Sequence, residues 1–144
     1  MLIIISFGGV TYRQGGFPTG EKRREYMQRT VTLENGQELN LECNAASPII
    51  FKRLWGENIM TGFQTIKSKD TNDLLEFMEK VIYTFNKTAE LGAKNALNFE
   101  NKYDDYIDFL SRFEIFELVS DNVLDVILEM WGANTKTESE PKNL

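Results

Sequence analysis

A chain of 144 residues with 42% hydrophobic and 26% charged side chains has the size and composition of one globular domain with a sizeable core. Its net charge of −6 works against nucleic-acid binding, whose affinity comes mainly from neutralising phosphates; the one basic run, Lys22-Arg23-Arg24, is bracketed by Glu21 and Glu25. There is no histidine, which removes the usual general base, the usual proton shuttle and the commonest metal ligand together.

Residues 1–26 read unlike the rest. Leu2-Ile3-Ile4-Ile5 is followed by Gly8-Gly9, Gly15-Gly16 and Pro18-Thr19-Gly20 with no helical period, which predicts an added N-terminal strand with a flexible arm. The apolar run is too short for a signal-peptide core and no positive residue precedes it. No stretch of the chain approaches the roughly 18 apolar residues that span a bilayer. The glycine pairs lack the Gly-Lys-Ser/Thr ending of a phosphate loop. A sharper expectation is that residues 1–26 are a translated leader and that the native start is Met27. Purine-rich codons for Lys22-Arg23-Arg24-Glu25 would place a ribosome-binding site at the right distance upstream. Intact mass of protein made from the native gene tests this, and a mass that includes residues 1–26 refutes it.

The globular domain is expected over residues 27–134, hung from Arg29 to Gly56. Val31 and Leu33 alternate with Thr30 and Thr32, and Leu39 and Leu41 alternate with Glu38, Asn40 and Glu42, the period of two half-buried strands. A two-residue turn on Asn35-Gly36 would set Leu33 opposite Glu38. A three-residue loop, Glu34-Asn35-Gly36 with Gly36 left-handed, instead sets Val31 opposite Leu39 and keeps the apolar residues on one face. Two strands bury too little to stand alone, and the next segment is the expected cover. Ser47 is placed to cap a helix that begins at Pro48 and stops at Gly56. It carries Ile49, Ile50, Phe51, Leu54 and Trp55 as an apolar stripe, with Lys52 and Arg53 near the negative end of its dipole.

Glu57 to Asp70 has no clean period and reads as a loop or short helical turn, in which Lys67 and Lys69 flank Ser68. Thr71-Asn72-Asp73 offers caps for a long helix bearing Leu74, Leu75, Met78, Val81, Ile82, Phe85 and Ala89, ending at Gly92. Ala93 to Asn98 reads as a connection. Phe99, Tyr103, Tyr106, Ile107, Leu110 and Phe113 give a further stripe, with Ile115 to Val119 as a short turn. Ser120 or Asp121 caps a last helix with Val123, Leu124, Ile127, Met130 and Trp131, with Gly132 or Asn134 beyond its end. Residues 135–144 carry no large apolar side chain before Leu144 and form a tail that cannot offset its ordering entropy. The predicted fold is α+β: a β-hairpin or small antiparallel sheet, then a bundle of about four helices.

Little here is chemistry. Asp104 and Asp108 lie one helical turn apart and with Asp105 could hold a hard cation, or act with Glu76 or Glu79; their place off the apolar stripe reads as a solvated face. Cys43 is the single cysteine, so it closes no internal disulfide, fits a reducing cytoplasm and, without a base, reads as a small residue at a strand end. No catalytic residue, metal site or cofactor is expected. Aromatics are in some excess: Trp55, Phe63, Phe77, Phe109, Phe113, Phe116 and Trp131 either all fill the core or leave an apolar patch for a partner. Trp55, Phe63 and Trp131 are the candidate partner-binding residues.

The order of these pieces, "TLENGQELNLE", then "IIFKRLWGE", then long helices and a loose polar tail, resembles the tail assembly chaperones of long-tailed phages and prophages of low-GC Gram-positive bacteria, over most of Met27 to Leu144. The resemblance rests on order and spacing. It implies a non-enzymatic chaperone that binds the long helical tape measure protein in the host cytoplasm and is absent from the finished virion. It also implies a minority −1 frameshifted form that recruits tail tube subunits. Pro141-Lys142-Asn143 is compatible with an A-AAA-AAC slippery heptamer in the required phase, after a linker suited to joining domains. The alternative is a small cytoplasmic regulatory or adaptor protein. Self-association stays open.

Overall fold

The computed structural model describes residues 27–100 and 103–135. The arm or leader over residues 1–26 and the tail from 136 onward, with its frameshift codons, lie outside the described residues.

Strands β1 (Gln28–Thr32) and β2 (Glu38–Glu42) pair antiparallel with Val31 opposite Leu39 and Thr32 opposite Glu38. The three-residue loop demanded by parity is the one formed. Leu33 N–H donates to Gln37 O at 2.8 Å and Gly36 N–H to Leu33 O at 2.9 Å. Gly36 has φ of 91°, a region L side chains rarely occupy. Val31, Leu33, Leu39 and Leu41 are buried, and Thr30, Thr32, Glu38 and Asn40 face out.

Helix α1 (Ser47–Trp55) corrects the cap. Ala46 is the N-cap and makes no side-chain bond. Ser47 is buried, and its Oγ accepts the Asn44 N–H at 2.9 Å while Asn44 Oδ1 accepts the Ala46 N–H at 2.8 Å. The tight exit from β2 orphans the Asn44 donor, and the serine turns back to satisfy it. Gly56 ends the helix left-handed at φ of 71°, its N–H on Lys52 O. Ile49 leaves the expected stripe. It lies about 200° around the helix from Phe51 and is 61% exposed.

The aperiodic stretch that follows is helical. Helix α2 (Ile59–Gln64) is capped by Asn58, whose Oδ1 accepts the Met60 and Thr61 N–H groups at 2.9 and 3.1 Å, and a 3-10 turn covers Ile66–Ser68. Helix α3 (Thr71–Leu91) takes Asp70 as its cap, one residue before the expected set, through the Asp73 N–H at 2.8 Å. It stops at Gly92.

Helix α3, and not the hairpin, is the centre of the fold. Every residue from Val81 to Asn86 is buried, so this stretch is enclosed on all sides. It also replaces α1 as the cover of the hairpin. Residues of α3 pack along β2, and Asn86 Nδ2 donates to Asn40 O at 2.9 Å. Helix α1 packs on a different face of α3, where Trp55 Nε1 donates to Thr84 Oγ1 at 3.0 Å; Thr84 and Asn86 stand about 200° apart around the axis.

Helices α4 (Ala93–Asn98), α5 (Tyr103–Leu110) and α6 (Asp121–Asn134) complete the described residues. The expected connection at 93–98 is therefore a helix, anchored by buried Ala96. Ser120 is the N-cap of α6 without a side-chain bond, and Gly132 lies inside the helix. Helix α6 closes on β1 through Arg29 Nη1 and Glu129 Oε1 at 2.8 Å, an exposed pair that adds little stability. The α+β class holds: the described residues form a two-stranded antiparallel sheet and six α-helices, where about four were expected. The additions at 59–64 and 93–98 are six residues each, too short to show a period. Among the described residues no helix is long and apolar enough to cross a membrane.

Cys43 is fully buried at the end of β2, and burial pushes its thiol up to about 12. The thiolate is the reactive form. The folded protein should therefore resist a thiol-specific reagent at pH 8 and react only after denaturant is added, as counted by absorbance. Rapid labelling of the native chain would contradict the packing at this strand end.

Candidate functional site

The three predicted partner-binding aromatics separate into two clusters. Phe63 and Trp131 stack at 4.6 Å with planes 14° apart, joining α2 to α6, and Phe63 meets Phe77 edge-on at 5.1 Å. Trp55 stands apart from that pair. It lies edge-on to Tyr106 at 4.8 Å and to Tyr83 at 5.7 Å, with Lys80 Nζ 5.3 Å from its ring centre. All three are half-buried and none is among the large exposed apolar side chains. Lys69, expected in a loop or short helical turn, reaches Thr65 Oγ1 at 3.0 Å and lies over the Phe77 ring.

Exposed apolar surface concentrates elsewhere, at Ile115 (81%) and Phe116 (67%). Helix α5 unwinds after Leu110 through bonds from Arg112 N–H to Phe109 O and from Phe113 N–H to Leu110 O. A four-residue turn follows. The Glu117 N–H donates to Glu114 O at 2.9 Å, and Glu117 Oε1 accepts the Glu114 N–H at 3.1 Å. Phe113, packed on Phe109 at 5.2 Å, and Leu118, buried, pin the two ends. Ile115 and Phe116 are left at the tip. Phe116 sits at the third position of this turn with φ of 73°, a place that glycine or asparagine fills in type II turns. Holding a bulky side chain there costs about 1–3 kcal/mol, and strain of this kind concentrates at functional sites.

The tip shares a groove of about 240 Å³ with Leu75, Leu110, Phe113 and Val119, and Glu79 and Glu114 also line it. No lysine or arginine lines it. That volume exceeds the roughly 150 Å³ that admits a benzene ring and falls below the roughly 300 Å³ where small-molecule sites begin, so it fits protein side chains better than a metabolite. Glu79 is half-buried. Burial raises its carboxyl above the ordinary range, the Tyr106 hydroxyl bond opposes this, and the neighbouring Glu76 charge adds to it.

In sequence, Phe116 counts among the aromatics in excess, but both it and Ile115 are assigned to a short turn and neither is named as a partner-binding residue. The available signal was the pair itself, two large apolar residues between Glu114 and Glu117 where no helical stripe requires them. The acidic cluster gains no support as a cation site. Asp108 pairs with Arg112 at 3.2 Å, and among the described residues no group of three or more metal-ligating side chains is brought together.

Comparison of the chain with protein families, curated proteins and solved structures finds no match.

Proposed function

We propose that this protein is a tail assembly chaperone of a long-tailed phage or prophage, which binds the tape measure protein in the host cytoplasm and shields its apolar stripes before assembly. A −1 frameshifted longer form recruits tail tube subunits. The order of hairpin, short helix and long helices supports this reading. The observation that carries it is the exposed Ile115-Phe116 pair beside an apolar groove, on an acidic chain with net charge −6. Such a surface binds apolar protein segments while charge keeps the carrier dispersed.

The test is genetic and biochemical. The gene is expected to carry A-AAA-AAC across the codons of Pro141-Lys142-Asn143, an overlapping −1 frame and, next, a gene for a long helical protein. Co-expression should move that protein from the pellet to the soluble fraction. Codons incompatible with slippage and no long helical gene nearby would discard the chaperone in favour of an adaptor.

A further inference from the structure

We infer that the groove between α3, α5 and the 114–117 turn is a docking site for an amphipathic helix whose apolar stripe is edged by lysine or arginine. The identity of the natural partner rests on the chaperone reading; the chemistry of the site does not. Leu75, Leu110, Phe113 and Val119 are each half-buried and have further surface to lose, and Ile115 and Phe116 form a lip that closes over an inserted side chain. The walls are helices and a turn, with no sheet edge to add a strand to, which selects the helix-in-groove mode over strand addition.

Charge selects the edge residues. The groove lining holds Glu79 and Glu114 and no cation. Two cations of these segments are already engaged, Arg112 just past the end of α5 by Asp108 and Lys80 on α3 by Glu57 and Glu76. A partner ammonium or guanidinium would meet a partly desolvated carboxylate at Glu79, where attraction is less screened than at an open surface. A second copy of this acidic chain brings the wrong sign.

Labelled synthetic helices with one leucine stripe, edged either by lysine or by glutamate, would be titrated with the full chain by fluorescence anisotropy. The lysine-edged helix should bind roughly tenfold tighter or better, with a gap that narrows as salt is added. Ile115→Ser and Phe116→Gly should each weaken it roughly tenfold, and Glu79→Gln with Glu114→Gln should narrow the preference between helices. Phe116→Gly keeps the fold testable, because glycine accepts the positive φ. Ile49→Ser, also well exposed at 61% but on α1, should change nothing. Equal binding of both helices, unchanged binding by the lip variants, or equal loss with Ile49→Ser overturns the proposal.

Repeating co-expression with the same variants separates the two readings. Rescue of the helical partner by wild type and equally by Ile115→Ser removes the groove, and the chaperone reading then stands on the rescue and the gene arrangement alone. Peptide discrimination as expected without rescue keeps the groove and removes the chaperone.

Discussion

Tyr83→Ala should lower the free energy of unfolding by about 3–5 kcal/mol, the range for deleting a large buried aromatic. Against a typical domain stability of about 5–15 kcal/mol, that leaves much of the protein unfolded at modest urea. Tyr83 is fully buried on α3, and its ring meets Trp55 of α1 at 5.7 Å, Tyr106 of α5 at 5.4 Å and Phe109 of α5 at 5.2 Å. Removing it takes the shared partner from two helices at once, across a site too constrained to collapse. Tyr83→Phe is the control. Its hydroxyl has no hydrogen-bond partner among the described residues, so its loss should cost under about 1 kcal/mol and could add stability. Urea unfolding followed by circular dichroism reads both. A loss below about 1 kcal/mol for Tyr83→Ala would mean that this ring does not join the helices.

The same residue sets the alkaline limit. Burial, with the Asp105 charge adding and Arg112 opposing, pushes the Tyr83 phenol from its ordinary 10.0 up to about 12; burial likewise raises Tyr106 and Cys43. Each is an acid whose folded value is raised, so its contribution is complete below the unfolded value and is lost as pH rises through the folded one. Thermal stability should therefore hold to about pH 9 and fall between pH 9 and 12, where the ordinary values of 9.0 for the thiol and 10.0 for the phenols lie. Tyr83→Phe should soften that fall.

Gly62→Ala should destabilise by about 1–3 kcal/mol, although alanine in a helix ordinarily gains about 0.5–1 kcal/mol over glycine. A methyl at Gly62 would stand 2.1 Å from Phe77 Cε1, and Phe77 is itself buried between Phe51 at 6.0 Å and Phe63 at 5.1 Å. To admit the methyl, Phe77 must shift against those two rings. Gly132 on α6 meets nothing within 4 Å of the same added atom, so Gly132→Ala should stabilise by about 0.5–1 kcal/mol. One substitution type with opposite signs at two helical glycines is a strict test of the packing, read as paired shifts in urea midpoint. Stabilisation at both positions would show that α2 does not lie against Phe77.

What the sequence determined by itself is the set of features settled within a few residues. The parity of Val31, Leu33, Leu39 and Leu41 admits one loop length, and that loop forms. Gly56 and Gly92 end helices because a positive φ there is cheap for glycine and costly for its neighbours. The stripes of α3 and α6 are long enough to show their period. The caps came one residue off at Asp70 and went elsewhere at Ser47, because several oxygens lie within reach and the chain path chooses among them.

Only the tertiary structure decided which face meets which. It turned α3 into the cover of the hairpin, since α1 cannot pack on α3 through Trp55 and shield the strands as well. It drew Phe63 and Trp131 together and held Trp55 elsewhere, because separation in sequence says nothing of proximity across helices. It gave helical form to 59–64 and 93–98, whose six residues are stabilised by contact and not by intrinsic propensity. Above all, it left Ile115 and Phe116 in water. An apolar pair looks the same in sequence whether buried or exposed, and only the anchors at Phe113 and Leu118, fixed by the rest of the core, hold the turn between them outside it.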